Sequence, residues 1–170
     1  KILKFFLKNS SKYKIENEQN SLKILWECCQ IPDFVKHAYG HHLEVVSKVF
    51  HFLTTGKKRV LNTYMRNQLN NLDKMDGNVD SLSNRIANVR TWSYVSNKKN
   101  WVENQDYWIE RSKLLEDKLS DRLHEELTKS FIDKRASILT KRLKQDVNLE
   151  TKIKNGKEVT IDEQFIGELK

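Results

Sequence analysis

A single proline and five glycines among 170 residues leave few of the breaks that a sandwich or barrel of short strands needs, so the composition favours long helices. Cysteine is nearly as scarce. The two present, Cys28 and Cys29, are adjacent, which excludes a disulfide framework and points to a reducing, cytoplasmic home. No stretch approaches the ~18 to 20 apolar residues of a spanning helix, so a membrane span is excluded. Aromatic residues, by contrast, are plentiful. Four Trp, five Tyr and seven Phe are too many anchors for a disordered chain, even at a mean hydropathy of −0.72.

Basic residues outnumber acidic ones by 31 to 23, giving a net charge of +8. The plainest partner for such a surface is a polyanion, nucleic acid first and an anionic membrane second. A lysine-rich proteome produces the same excess, so charge alone does not decide between them. The chain begins at Lys1 and stops at Lys170 within what reads as a strand, so the sequence reads as a piece of a longer protein.

Three parts follow along the chain. Residues 1–20 form a basic arm, with Lys1, Lys4, Lys8, Lys12 and Lys14, a short helix around Phe5 to Leu7, and a face that docks against something else. Residues 21–148 form a helical domain. Ser21 is placed as the N-cap of a helix carrying Leu22, Leu25, Trp26 and Cys29 up to Ile31–Pro32. Leu43, Val46, Val49, Phe50 and Leu53 recur at helical spacing until Gly56, and Leu61, Tyr64, Met65, Leu69, Leu72 and Met75 until Asp76–Gly77. A further helix over 79–97 buries Leu82, Ile86 and Val89.

From Asp106 to Lys144 the chain is helix-forming throughout, yet its apolar stripe winds from Trp108 through Leu115, Leu119, Leu123 and Leu127 to Phe131. Steps of four advance about 40° each, so one straight helix cannot keep them all on one core. Ser130 followed by Asp133 resembles a capping box, which predicts a kink or a new helix start there. Residues 149–170 form a small β element. Thr151–Lys154 and Glu158–Asp162 read as strands about a type I′ turn at Asn155–Gly156, with a third strand from Phe165. The expected fold is therefore mostly α, a bundle of about six helices with a small C-terminal β-hairpin or meander.

An enzyme acting alone is poorly supported, because the sequence contains no phosphate loop, nucleophile elbow, HExxH or Cys-x-x-Cys spacing. Cys28, Cys29, His37, His41, His42 and His51 cluster in sequence. Adjacent helical cysteines point about 100° apart, so buried thiols and loop histidines are the default over a metal site. Two basic sets are more informative. On the helix over 79–97, Arg85 and Trp92 flank the apolar face on one side and Arg90 and Tyr94 on the other, with Lys98 and Lys99 beyond. Cations interleaved with aromatic rings grip single strands by phosphate contact and base stacking. Core-edge aromatics beside solvated arginines are the plainer reading of the same local pattern. Between 128 and 144, Lys129, Lys134, Arg135, Lys141, Arg142 and Lys144 are set against Asp133 alone, a basic ridge of net +5, with Lys134, Arg135, Lys141 and Arg142 roughly opposite Ile132, Ala136, Leu139 and Leu143. The preceding 115–127 holds five acids against Lys118 and Arg122, and this segregation supports a polyanion track.

Five stretches carry a resemblance. LKILWECCQIPDF over Leu22–Phe34, KMDGNVDSL over Lys74–Leu82, IANVRTWSY over Ile86–Tyr94, EDKLSDRLH over Glu116–His124 and FIDKR over Phe131–Arg135 resemble, in order and spacing, the segment after the second RecA-like domain in bacterial relatives of the mitochondrial degradosome helicase. The resemblance covers about residues 22–169. It implies the C-terminal region of a superfamily-two ATP-dependent helicase, a region that helps enclose the single strand while ATP and Mg are held by motor domains not contained in this chain. The implied partners are single-stranded RNA or DNA and the motor domains of the same polypeptide. The implied contacts are Arg85, Arg90, Lys98 and Lys99 to phosphates, Trp92 and Tyr94 to bases, and Arg135, Lys141 and Arg142 as a second basic wall. The competing expectation is a helical scaffold whose basic face docks onto the motor or a partner nuclease.

Overall fold

In the computed structural model of the chain, residues 2–9, 19–36, 39–56, 58–144, 151–154, 158–161 and 164–168 are described. These form six helices and a three-stranded sheet. They divide into two compact units, Lys1–Leu123 and His124–Lys170.

The first unit is built by amphipathic spacing. Helix α1 (Ile2–Lys8) buries Phe6, α2 (Gln19–Cys29) buries Leu25 and Cys28, and α3 (Tyr39–Thr54) buries Val45, Val46, Val49, Phe50 and Leu53. Met65 and Leu69 of α4 (Asn62–Leu72) join Leu82, Ile86, Val89, Trp92 and Val95 of α5 (Val79–Asn97) and Trp108, Leu115 and Leu119 of α6 (Gln105–Lys144). The steps are threes and fours, so each helix turns one face inward, and each large side chain so buried contributes about 1.5–3 kcal/mol. Ring contacts join the layers. Phe6 meets Phe50 at 5.7 Å, Phe52 meets Tyr64 at 5.1 Å, and Tyr64 meets Trp92 at 5.7 Å. The basic arm thus docks on its own unit through Phe6.

Local chemistry sets the boundaries. The Asn78 side chain accepts from the Ser81 amide at 2.9 Å and caps α5, with Asp80 in the first turn favourable to the helix dipole. Gly77 ahead of it has φ +117°, a conformation L side chains rarely adopt, and a Cβ there would meet Ser81 Cβ at 3.0 Å. Helix α4 begins after Leu61, which offers no capping side chain. The chain is held there instead by the Val60 amide donating to the Trp101 carbonyl at 2.7 Å, and by Asn62, which accepts from Trp108 Nε1 at 2.8 Å and donates to Glu103 at 3.1 Å.

Three boundaries differ from the sequence reading. Helix α2 is already formed at Gln19, so Ser21 lies in its first turn and does not cap it. Helix α4 ends at Leu72, three residues before Met75. Met75 still packs against the core from the connection, and its apolar spacing made the helix look longer. Helix α6 runs through Ser130 with no new start, because no Gly or Pro interrupts it and its winding stripe does not stay on one core. Beyond Leu123 the stripe meets solvent, with Leu127 48% and Phe131 55% exposed.

The second unit comprises the distal part of α6 and an antiparallel meander of β1 (Thr151–Lys154), β2 (Glu158–Ile161) and β3 (Gln164–Glu168). Lys154 pairs with Glu158 at the end of the two strands where the turn was expected. Asn155 and Gly156 themselves lie outside the described residues, as does Asp162. The register of β3 shifts between Val159 and Thr160, so Val159 faces Gly167 while Thr160 faces Phe165.

His42 is buried at 7% exposure in α3, and burial pulls its pKa below the ordinary 6.5, with His41 adding to the effect and Asp33 and the Ile31 backbone opposing it. The folded state therefore holds this proton less tightly than the unfolded chain, and stability present above pH 6.5 should fall as pH drops through the lowered folded value. Urea midpoints of the native chain between pH 7.5 and 5 should decline, and His42→Gln should flatten that decline. An unchanged profile in the variant would remove His42 as the cause.

Candidate nucleic-acid interface

The set on α5 is drawn largely into the fold. Arg85 Nη1 donates to the Lys74 carbonyl at 2.8 Å and also to the Asp76 carbonyl. Lys118 Nζ reaches Asp73 Oδ1 at 2.7 Å, Arg111 reaches Asp73 Oδ2 at 3.5 Å, and Arg122 Nε donates to the Met75 carbonyl at 3.2 Å. Four cations thus hold the short connection after α4, Lys118 and Arg111 through the Asp73 carboxylate and Arg85 and Arg122 through main-chain carbonyls. Arg90 pairs with Glu116 across 2.7 Å while remaining 55% exposed, a surface ion pair of modest worth.

The aromatic members behave differently from a stacking pair. Trp92 is 2% exposed and packed on Tyr64, so its ring faces are not open to a base, and this corrects the expectation that it stacks. Tyr94 is half-buried, with Lys98 Nζ 5.0 Å from its ring centre and 5.9 Å from that of Trp101. Lys98 is also the C-cap of α5, where a cation is favourable, and Lys99 beside it is exposed.

The second basic set lies on the distal part of α6. At about 100° per residue, positions 127, 131 and 138 fall within a narrow arc, bordered by 134 and 141 on one side and by 135 and 142 on the other. Leu127 and Phe131 are exposed and Ile138 is half-buried. Lys134 and Lys141 are exposed, and the Arg135 guanidinium carbon sits 4.0 Å from the centre of the Phe131 ring. Lys134 was read from sequence as part of the ridge, and Phe131 only as core stripe. The signal for Phe131 was its i, i+4 spacing from Arg135. Of position 142 only the helical placement is described. A separate face of the same helix carries Ile132, 58% exposed, beside an open cavity of about 530 Å³ that His124, Glu125, Thr128, Lys129 and Asp133 also line.

The cysteine and histidine cluster offers no comparable chemistry. Burial raises the pKa of both thiols, most strongly for Cys28, which keeps them protonated and unreactive. His41, His42 and His51 lie on α3 and not in a loop, and His37 is outside the described residues. Among the described residues no three His, Cys, Asp or Glu side chains group where a metal could sit. None of the described helices is long and apolar enough to cross a membrane. No family model, curated protein or solved structure matches the chain.

Proposed function

We propose that this chain is a nucleic-acid-binding helical domain of an ATP-dependent helicase, gripping single-stranded RNA or DNA and contributing no catalytic residue of its own. The observation that carries the reading is the distal part of α6, where Lys134, Arg135 and Lys141 border an apolar stripe with Phe131 exposed in it. Cations spaced along one helix face meet phosphates, and the stripe between them meets the uncharged part of the strand. The resemblance of Leu22–Phe34 and the four later stretches to a helicase strand-enclosing region supplies the context. Arg90, Lys98 and Lys99 remain candidate phosphate contacts in the first unit. Arg85 is committed to the connection after α4, and Tyr94 is half-buried with Lys98 over its ring.

Titrating the chain into a fluorescent single-stranded oligonucleotide, with anisotropy read over a salt series, tests this. Contacts from three ridge cations predict a slope of log affinity against log salt of about −2, at roughly −0.7 per phosphate for single strands. Absence of binding at low salt would overturn the reading.

A second reading has its own observation. Leu22 and Trp26, one turn apart on α2, are 38% and 57% exposed, and Phe34 beyond that helix is 42% exposed. Exposed apolar groups of this size suit a protein contact, with helicase motor domains or a nuclease as the partner.

A further inference from the structure

We infer that Phe131 and Arg135 form a preorganised stacking platform for an unpaired nucleobase on the distal part of α6, an inference that rests on the reading of this chain as a single-strand binder. Phe131 is a large apolar side chain left 55% exposed in the interior of a helix. Its ring already carries the Arg135 guanidinium 4.0 Å from its centre, one helical turn away. The contact restrains both side chains before any ligand arrives, so less rotamer freedom is lost on binding. What it presents is flat, polarisable and positively charged. Nucleobases stack on aromatic rings and on guanidinium planes alike, and do so with little regard to sequence.

The surroundings specify a strand over other anions. Lys134 and Lys141 stand on one flank of the stripe, both C-terminal to Phe131 and separated by two helical turns or about 10.5 Å along the axis, so a backbone leaving the stacked base along that flank meets two successive cations. Leu127, one turn earlier on the same arc, extends the apolar floor. Base pairing removes this mode, because bases in a duplex already stack on each other. The site thus takes the exposed base of a single strand, RNA or DNA, and sees duplex only as charge.

Phe131→Ala in the 170-residue chain separates the two terms. The position is exposed and alanine favours helix more than phenylalanine does, so folding is not at risk. Against a single-stranded oligonucleotide the variant should bind about tenfold more weakly, while the slope of log affinity against log salt stays at the native value because no phosphate contact is lost. Phe131→Trp should retain native affinity. Binding to a duplex of the same length should be unaffected by either change. Equal single-strand affinity for the native chain and Phe131→Ala would overturn the platform and, if Lys134→Glu with Lys141→Glu still weakens binding, would leave the strand-binding reading standing. Loss of Phe131→Ala binding to vesicles containing phosphatidylserine, with single-strand affinity unchanged, would overturn it in favour of a lipid surface.

Discussion

Trp92→Ala is expected to lower the unfolding free energy by about 3–5 kcal/mol, the usual cost of truncating a large buried aromatic. Trp92 is 2% exposed, lies on the inward face of α5 between Val89 and Val95, and meets Tyr64 of α4 edge to face at 5.7 Å. Removing it leaves a cavity in a core where Met65, Leu69 and Val95 are fully buried, and close-packed interiors relax incompletely. Chemical denaturation of the variant and the native chain measures the difference. Trp92→Phe fills most of the space and should cost much less. Its affinity for single-stranded oligonucleotide should equal that of the native chain, since the ring is not open to a ligand. A Trp92→Phe variant of native stability but weaker nucleic-acid binding would return this residue to the interface.

That outcome also marks where sequence stopped being informative. Trp92 recurs at helical spacing with Leu82, Ile86 and Val89, and the same spacing serves a core face or a binding face. Only burial separates them. The start of α5 carries local signals, since Gly77 at positive φ precedes the side-chain cap of Asn78. The role of Arg85 carries none, because it binds main-chain carbonyls nine and eleven residues away, groups that every sequence has. Helix α6 shows the same limit in another form. Its stripe rotates off the core after Leu123, and the sequence records that rotation without saying whether the helix breaks or its apolar side chains meet solvent. Strands β1 and β2 were legible within a residue, since β-branched residues at 151, 153, 159, 160 and 161 flank a turn-forming pair.

The ridge itself was legible as charge, and its meaning depends on the flanking pattern. Lys134 and Lys141 are both exposed and lie on one side of the stripe, so changing them to Glu replaces two attractive contacts with two repulsive ones while leaving the buried core untouched. The acidic stretch before the ridge already shows that this helix tolerates carboxylates on its surface. Affinity for single-stranded RNA or DNA should fall on the order of tenfold or more at low salt, and the number of neutralised phosphates should fall with it. The scaffold reading predicts something else, because an apolar docking surface such as Leu22 and Trp26 is far less sensitive to ionic strength.

Fluorescence anisotropy of a labelled single strand, titrated with the native chain and with the Lys134→Glu, Lys141→Glu variant across a salt series, addresses the central claim most directly. The account predicts a slope near −2 for the native chain, and for the variant both weaker binding and a slope less than half as steep. Equal affinity and equal slope for the two proteins would contradict it, and would assign the basic face of α6 to protein docking.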